Sequence, residues 1–145
     1  MSPPTRMLVP TDGSPHSLKA VEHVIGLAKA GLALDVHLLN VQLPVHGAAA
    51  TFLGKSELSD YHREEGMKAL AAGKALLDAA GLAATLHVGL GEPGETIVAF
   101  AERLAVGHVV MGTRGFGSAA GLLLGSAAQH VVREAKWPVT LLHAS

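Results

Sequence analysis

Glycines and a serine, rather than a nucleophile and its base, carry the clearest chemical spacing in this chain. Gly112-Thr113-Arg114-Gly115 is followed, after nine residues, by Gly125-Ser126-Ala127. The first glycines come after an apolar run ending in Met111, and the last pair opens a helical pattern. Glycine lets backbone N–H groups come close to a ligand, and a helix N-terminus adds unpaired N–H donors with a partial positive charge. With the Ser126 hydroxyl, such a segment forms an anion cradle that needs no lysine. The same spacing is also met by a flexible glycine-rich crossover ending in a Gly-Ser helix cap.

Asp12 is the second candidate. It stands in Pro10-Thr11-Asp12-Gly13, directly after the apolar run Met7-Leu8-Val9. Asp-Gly-Ser after a strand is ordinary turn and N-cap chemistry, and a carboxylate at that place can equally face a ligand. A receiver-type phosphoacceptor needs a further aspartate after the third strand, where this chain has Val88-Gly89-Leu90. Other motifs fail on their chemistry. Gly89-Leu90-Gly91-Glu92-Pro93-Gly94 has the dinucleotide spacing, but Glu92 repels pyrophosphate and no acid follows at the ribose position, so it reads as a turn and helix start. Gly54-Lys55-Ser56 resembles a P-loop tail, but position 49 is alanine where that motif needs glycine. The nine histidines include no pair at i, i+4 and no His-Glu-x-x-His, so they read as scattered positions and no metal is expected. No Gly-x-Ser-x-Gly elbow occurs, so Ser118 and Ser126 lack a hydrolase context.

These residues need a scaffold, and the hydrophobic pattern supplies one. Hydrophobic residues make up 49% and charged residues 16%, which provides a core and excludes disorder. Aromatics are only 3%, so Ala, Val and Leu must fill that core. A formal charge of -1 lacks the basic footprint of a nucleic-acid binder, and the absence of cysteine excludes disulfides and thiolate chemistry. No apolar run approaches the length of a membrane span, so the chain is expected to be a soluble cytoplasmic protein.

Short apolar runs at Met7–Val9, Leu34–Val41, Ala83–Val88, His108–Met111 and Val139–Leu142 read as strands. Between them, helices are expected after Ser14-Pro15, over Lys55–Ala80, over Glu95–Ala105 and over Ala127–Ala135, with a loop at Pro44–Gly54. Strands that are apolar throughout and alternate with helices form a parallel sheet covered on both faces. The expectation is one α/β domain over residues 1–145 with a doubly wound, open, five-stranded sheet in the order 3-2-1-4-5. Its ligand crevice lies between the first and fourth strands.

The glycine spacing from Gly112 to Ser126 resembles the nucleotide motif of the ATP-binding universal stress proteins: Gly, two residues, Gly, nine residues, Gly, then Ser or Thr. Met7–Ser14, Leu39-Asn40-Val41, Gly91-Glu92-Pro93 and Trp137-Pro138-Val139 resemble other segments of that family in the same order. The resemblance implies that Asp12, with Pro10 and Thr11, sits beside the adenosine, its carboxylate near the ribose or a bound magnesium. It implies that Val41 offers backbone N–H and C=O to the adenine edge, and that Met111 and Gly112 line the ribose side. Gly115, Gly125, Ser126 and Ala127 would then wrap the phosphates. Arg114 is a cation able to pair with phosphate or a solvated loop residue, because the motif does not specify it. The implied function is an ATP-binding regulatory module of a stress response, with magnesium on the phosphates and a homodimer formed through the last strand, Val139 to Leu142. A slow ATP hydrolase or phosphotransferase is the second reading, and a nucleotide-free interaction scaffold the third. Binding ranks above catalysis because the motif carries no lysine and no evident catalytic base.

Overall fold

The computed structural model describes residues 3–44, 54–114 and 124–143. Gly115, the loop at 45–53 and most of the glycine-rich connection lie outside the described residues. The elements run β1 (Thr5–Pro10), α1 (Pro15–Lys29), β2 (Leu34–Gln42), α2 (Lys55–Ala79), β3 (Ala84–Leu90), α3 (Pro93–Arg103), β4 (His108–Gly112), α4 (Ser126–Glu134) and β5 (Val139–Leu142). All strand pairs are parallel, and the sheet order is β3-β2-β1-β4-β5, as the alternating pattern predicts.

Successive strand residues feed two cores, which is why the strands read as unbroken apolar runs. Leu8, Leu39, Val109 and Met111 pack under α3 and α4 with Ile97 and Val131. Met7, Val9, Leu38 and Val110 pack under α1 and α2 with Val24 and Leu70. Helix α2 lies close to the sheet because two of its inward positions are glycine. A Cβ at Gly66 would stand 2.6 Å from the Val88 side chain, and one at Gly73 3.3 Å from that of Leu38.

Element ends differ from the sequence expectation by one or two positions where local chemistry sets them. Helix α3 starts at Pro93, a residue suited to the first turn, rather than at Glu95. β3 continues to Leu90 because its pairing with β2 continues to Gln42. Glycines of the Gly89–Gly94 segment allow close contact: a Cβ at Gly89 would lie 2.7 Å from Phe100, and one at Gly94 2.6 Å from His130. Among the described residues no helix is long and apolar enough to cross a membrane.

Candidate functional site

β1 and β4 are neighbours, yet α1 and α4, which follow them, lie on opposite faces of the sheet. The chain therefore opens a crevice at their carboxyl ends, the switch point of a doubly wound sheet. On the β1 side Pro10 and Thr11 are buried, and Thr11 and Ser17 join their hydroxyls at 2.7 Å. The Ser14 N–H donates to Asp12 Oδ1 at 2.9 Å, and Ser14 Oγ in turn accepts from the Ser17 N–H at the start of α1. The turn chemistry expected of Asp-Gly-Ser is thus present, and Asp12 also lines a cavity of about 700 Å³. Gly13 is required in this turn. Its φ is +83°, and a Cβ there would stand 2.9 Å from the Ala69 carbonyl oxygen of α2.

Val41 forms another part of the cavity wall. Its side chain is buried in the α3–α4 core, so its backbone is what it can offer. The Leu39 carbonyl accepts from the Thr11 N–H at 2.8 Å, and the Gln42 carbonyl accepts from the Gly91 N–H at 3.0 Å. Backbone groups alternate sides along a strand, so the Val41 N–H and C=O face the β1 side, like those of Leu39. There the β1–β2 register ends at Pro10↔Leu39, and the chain turns away. Val41 therefore directs a donor and an acceptor over the end of β1.

On the β4 side, the Gly125 N–H donates to the Thr113 carbonyl at 2.7 Å, tying the two ends of the glycine motif together. Gly125 is the N-cap of α4 with φ of -65°, so its backbone places no demand for glycine. Ser126 is exposed at the first helical position, whereas Ala127 and the Met111 side chain are buried in the core. A Cβ at Gly112 would come within 3.3 Å of the Arg114 and His16 carbonyl oxygens, so this glycine also serves the close approach of β4 to α1. Arg114 is half-buried at the rim.

The structure adds residues that the motif reading missed. Tyr61, His62, Glu65, Lys68 and Ala69 of α2 line the same cavity as Asp12 and Val41. Their spacing of three and four is the signal, since it places them on one helical face. Lys68 pairs with Glu65 at 3.3 Å with both side chains well exposed. A partly buried chain of hydrogen bonds runs through the same wall. Asn40 Nδ2 donates to the Thr11 carbonyl at 2.9 Å, Gln42 Nε2 donates to Asn40 Oδ1 at 2.6 Å, and His62 Nδ1 meets Gln42 Oε1 at 3.3 Å.

The model of the universal stress protein family matches residues 4–143. The chain belongs to the universal stress protein family. It is 35% identical over 140 residues to universal stress protein MJ0531 of Methanocaldococcus jannaschii, covering 94% of this chain and 81% of that protein. It is 28% identical to universal stress protein YxiE of Bacillus subtilis, covering 94% and 97% of the two chains. Among solved structures, that of MJ0577 superposes with a TM-score of 0.81 at 28% identity, covering 97% of this chain and 96% of the other. A universal stress protein in complex with cAMP superposes at 0.70 with 26% identity, covering 99% and 100%.

This family member also corrects the reading of its histidines as unrelated. His37 Nδ1 and His87 Nε2 lie 2.9 Å apart on β2 and β3, and His37 Nε2 lies 3.3 Å from Asp35 Oδ2. The rings meet nearly coplanar, at 17°, with centroids 5.1 Å apart, which is an edge-to-edge hydrogen bond rather than face-to-face stacking. Arg6 Nε also donates to Asp35, at 3.1 Å. Burial works to raise the Asp35 carboxyl, but hydrogen bonds from His37 and Arg6 outweigh it and hold the group below its ordinary value. Burial, then the charges of His37 and Arg103, push His87 below the ordinary imidazole value. Among the described residues no group of three or more His, Cys, Asp or Glu is placed to hold a metal.

Proposed function

We propose that this universal stress protein binds an adenine nucleotide across the carboxyl ends of β1, β2 and β4, with ATP as its ligand. The observation that carries this reading is the Val41 backbone pair, a donor and an acceptor directed past the end of β1 into a cavity walled by Asp12. A volume of about 700 Å³ lies in the range of small-molecule sites. The similarity to a structure holding cAMP supports the same ligand class. In this reading Pro10, Thr11 and Asp12 flank the adenosine, and Gly112, Arg114, Gly115, Gly125, Ser126 and Ala127 surround the phosphates, with Met111 contributing backbone only.

Magnesium fits this site only as an ion carried by the phosphates. Asp12 supplies one hard oxygen group, and Mg²⁺ commonly takes one or two carboxylates with phosphate and water. Family membership supports a nucleotide-dependent regulatory role in a cytoplasmic stress response. β5 lies at a sheet edge with its four residues half-buried, which supports pairing of two copies through Val139–Leu142. Light scattering at micromolar concentration should then give the mass of a dimer.

Calorimetry with magnesium tests the ligand. ATP should bind more tightly than GTP, because guanine reverses donor and acceptor against Val41 at roughly 1–3 kcal/mol for each group left unpaired. Gly125→Val should abolish binding in a folded protein by filling the space before the first turn of α4. At φ of -65° a valine is not strained there, so loss of affinity would report on space alone. Equal affinity for ATP and GTP, or full binding by folded Gly125→Val, would remove the assignment.

A further inference from the structure

The polarity of the Thr11–Asn40–Gln42–His62 chain is fixed from one end. A carbonyl only accepts, so at Thr11 the Asn40 amide must present its NH₂ group. Asn40 Oδ1 then faces Gln42, which must present Nε2, and that leaves Gln42 Oε1 facing the histidine. His62 must therefore carry its proton on Nδ1. In the neutral ring, Nε2 is left with a bare lone pair.

His62 is only 6% exposed, so a polar atom on it needs a partner. Among the described residues no group is paired with Nε2, and His62 lines two cavities. One is the cavity of Asp12 and Val41, and the other is a smaller, apolar space of about 330 Å³ beside Leu58 and Leu90.

We propose that His62 is a specificity-determining residue, whose Nε2 accepts a hydrogen bond from an exocyclic primary amine on the bound base. The inference rests on the adenine-nucleotide reading and refines it. A primary amine has two N–H groups. Val41 C=O takes one, and His62 Nε2, in the wall of the same cavity, takes the other. A base with an oxo group there sets acceptor against acceptor. A base with a substituted amine loses one of the two bonds.

The test compares ATP with N6-methyl-ATP by calorimetry on the parent, His62→Phe and Gln42→Leu, with circular dichroism to verify folding. The parent should bind N6-methyl-ATP about tenfold more weakly than ATP, the factor carried by roughly one neutral hydrogen bond. His62→Phe should lose about that factor for ATP and bind the two nucleotides alike. Gln42→Leu keeps the ring but frees its tautomer, so its discrimination should fall between the other two. Histidine ¹⁵N shifts of the nucleotide-free parent should show His62 protonated on Nδ1. If His62→Phe retains the parent's discrimination, or His62 carries its proton on Nε2, the inference is overturned while ATP binding stands. A parent that binds no ATP overturns the underlying reading, and the inference with it.

Discussion

Two hydrogen-bond chains start at β1 and cross β2, at opposite ends of the sheet, and they are built on different anchors. At the carboxyl end the anchor is the Thr11 carbonyl, followed by two amides and His62. Nearer the amino end the anchor is the Asp35 carboxylate, held by Arg6 and followed by His37 and His87. Amides do not titrate, so the first chain has one polarity, and the tautomer of its last ring follows from geometry. His87 does titrate, and burial followed by the charges of His37 and Arg103 holds it below the ordinary imidazole value. The chain over the crevice is suited to reading a ligand's donors and acceptors. The other is suited to responding to pH.

Breaking the amide chain should have the largest effect. Asn40→Leu preserves volume but leaves the Thr11 carbonyl, beside the 3%-exposed Asn40 side chain, without its donor, and takes the acceptor from the half-buried Gln42 amide. Leaving the buried carbonyl unpaired should cost about 1–3 kcal/mol in chemical denaturation, at any pH between 5 and 8. His37→Leu comes next. Asp35 keeps Arg6 and His87 is half-exposed, so the loss at pH 7.5 should be about 1 kcal/mol. That variant should also flatten the pH dependence.

The sign of that dependence follows from His87. Its folded value lies below its unfolded one, so below about pH 6.5 the unfolded chain takes up more protons and parent stability falls with acidification. His108, lowered by burial and by the charge of His23, acts in the same direction, and Asp35 follows at lower pH. Removing His37 takes away one cause of the His87 shift, so the loss between pH 7.5 and 5.5 should shrink. The smallest effect at neutral pH is expected for His87→Gln, which keeps an N–H for His37 Nδ1 but cannot titrate. Its stability should match the parent within about 0.5 kcal/mol at pH 7.5 and exceed it at pH 5.5. Thermal melts at the two pH values measure both variants, and a steeper acid loss in His87→Gln would contradict the assignment of the acid sensitivity to His87.

The fold was legible because the central strands carry apolar residues on both faces. Met7, Leu8 and Val9 feed the two cores alternately, which is the pattern of a central parallel strand. Asp12 was legible from the turn that surrounds it. The amide chain was hidden because Asn40 and Gln42 sit in an otherwise apolar run, and their partners come from β1 and α2. Helix α2 was identified by propensity alone, so the face bearing His62 and Glu65 went unnoticed despite its helical spacing. His37 and His87 are fifty positions apart, and only the β2–β3 register brings them together. At Gly125 the sequence left open a conformational need for glycine, which its ordinary φ removes.

The bond from the Gly125 N–H to the Thr113 carbonyl has a consequence for what a ligand must supply. It fastens the residue after β4 to the residue that opens α4 before any ligand arrives, so binding does not have to supply the entropy of bringing those two points together. Affinity at this side of the crevice then depends on the contacts a ligand makes rather than on assembling the place where it makes them.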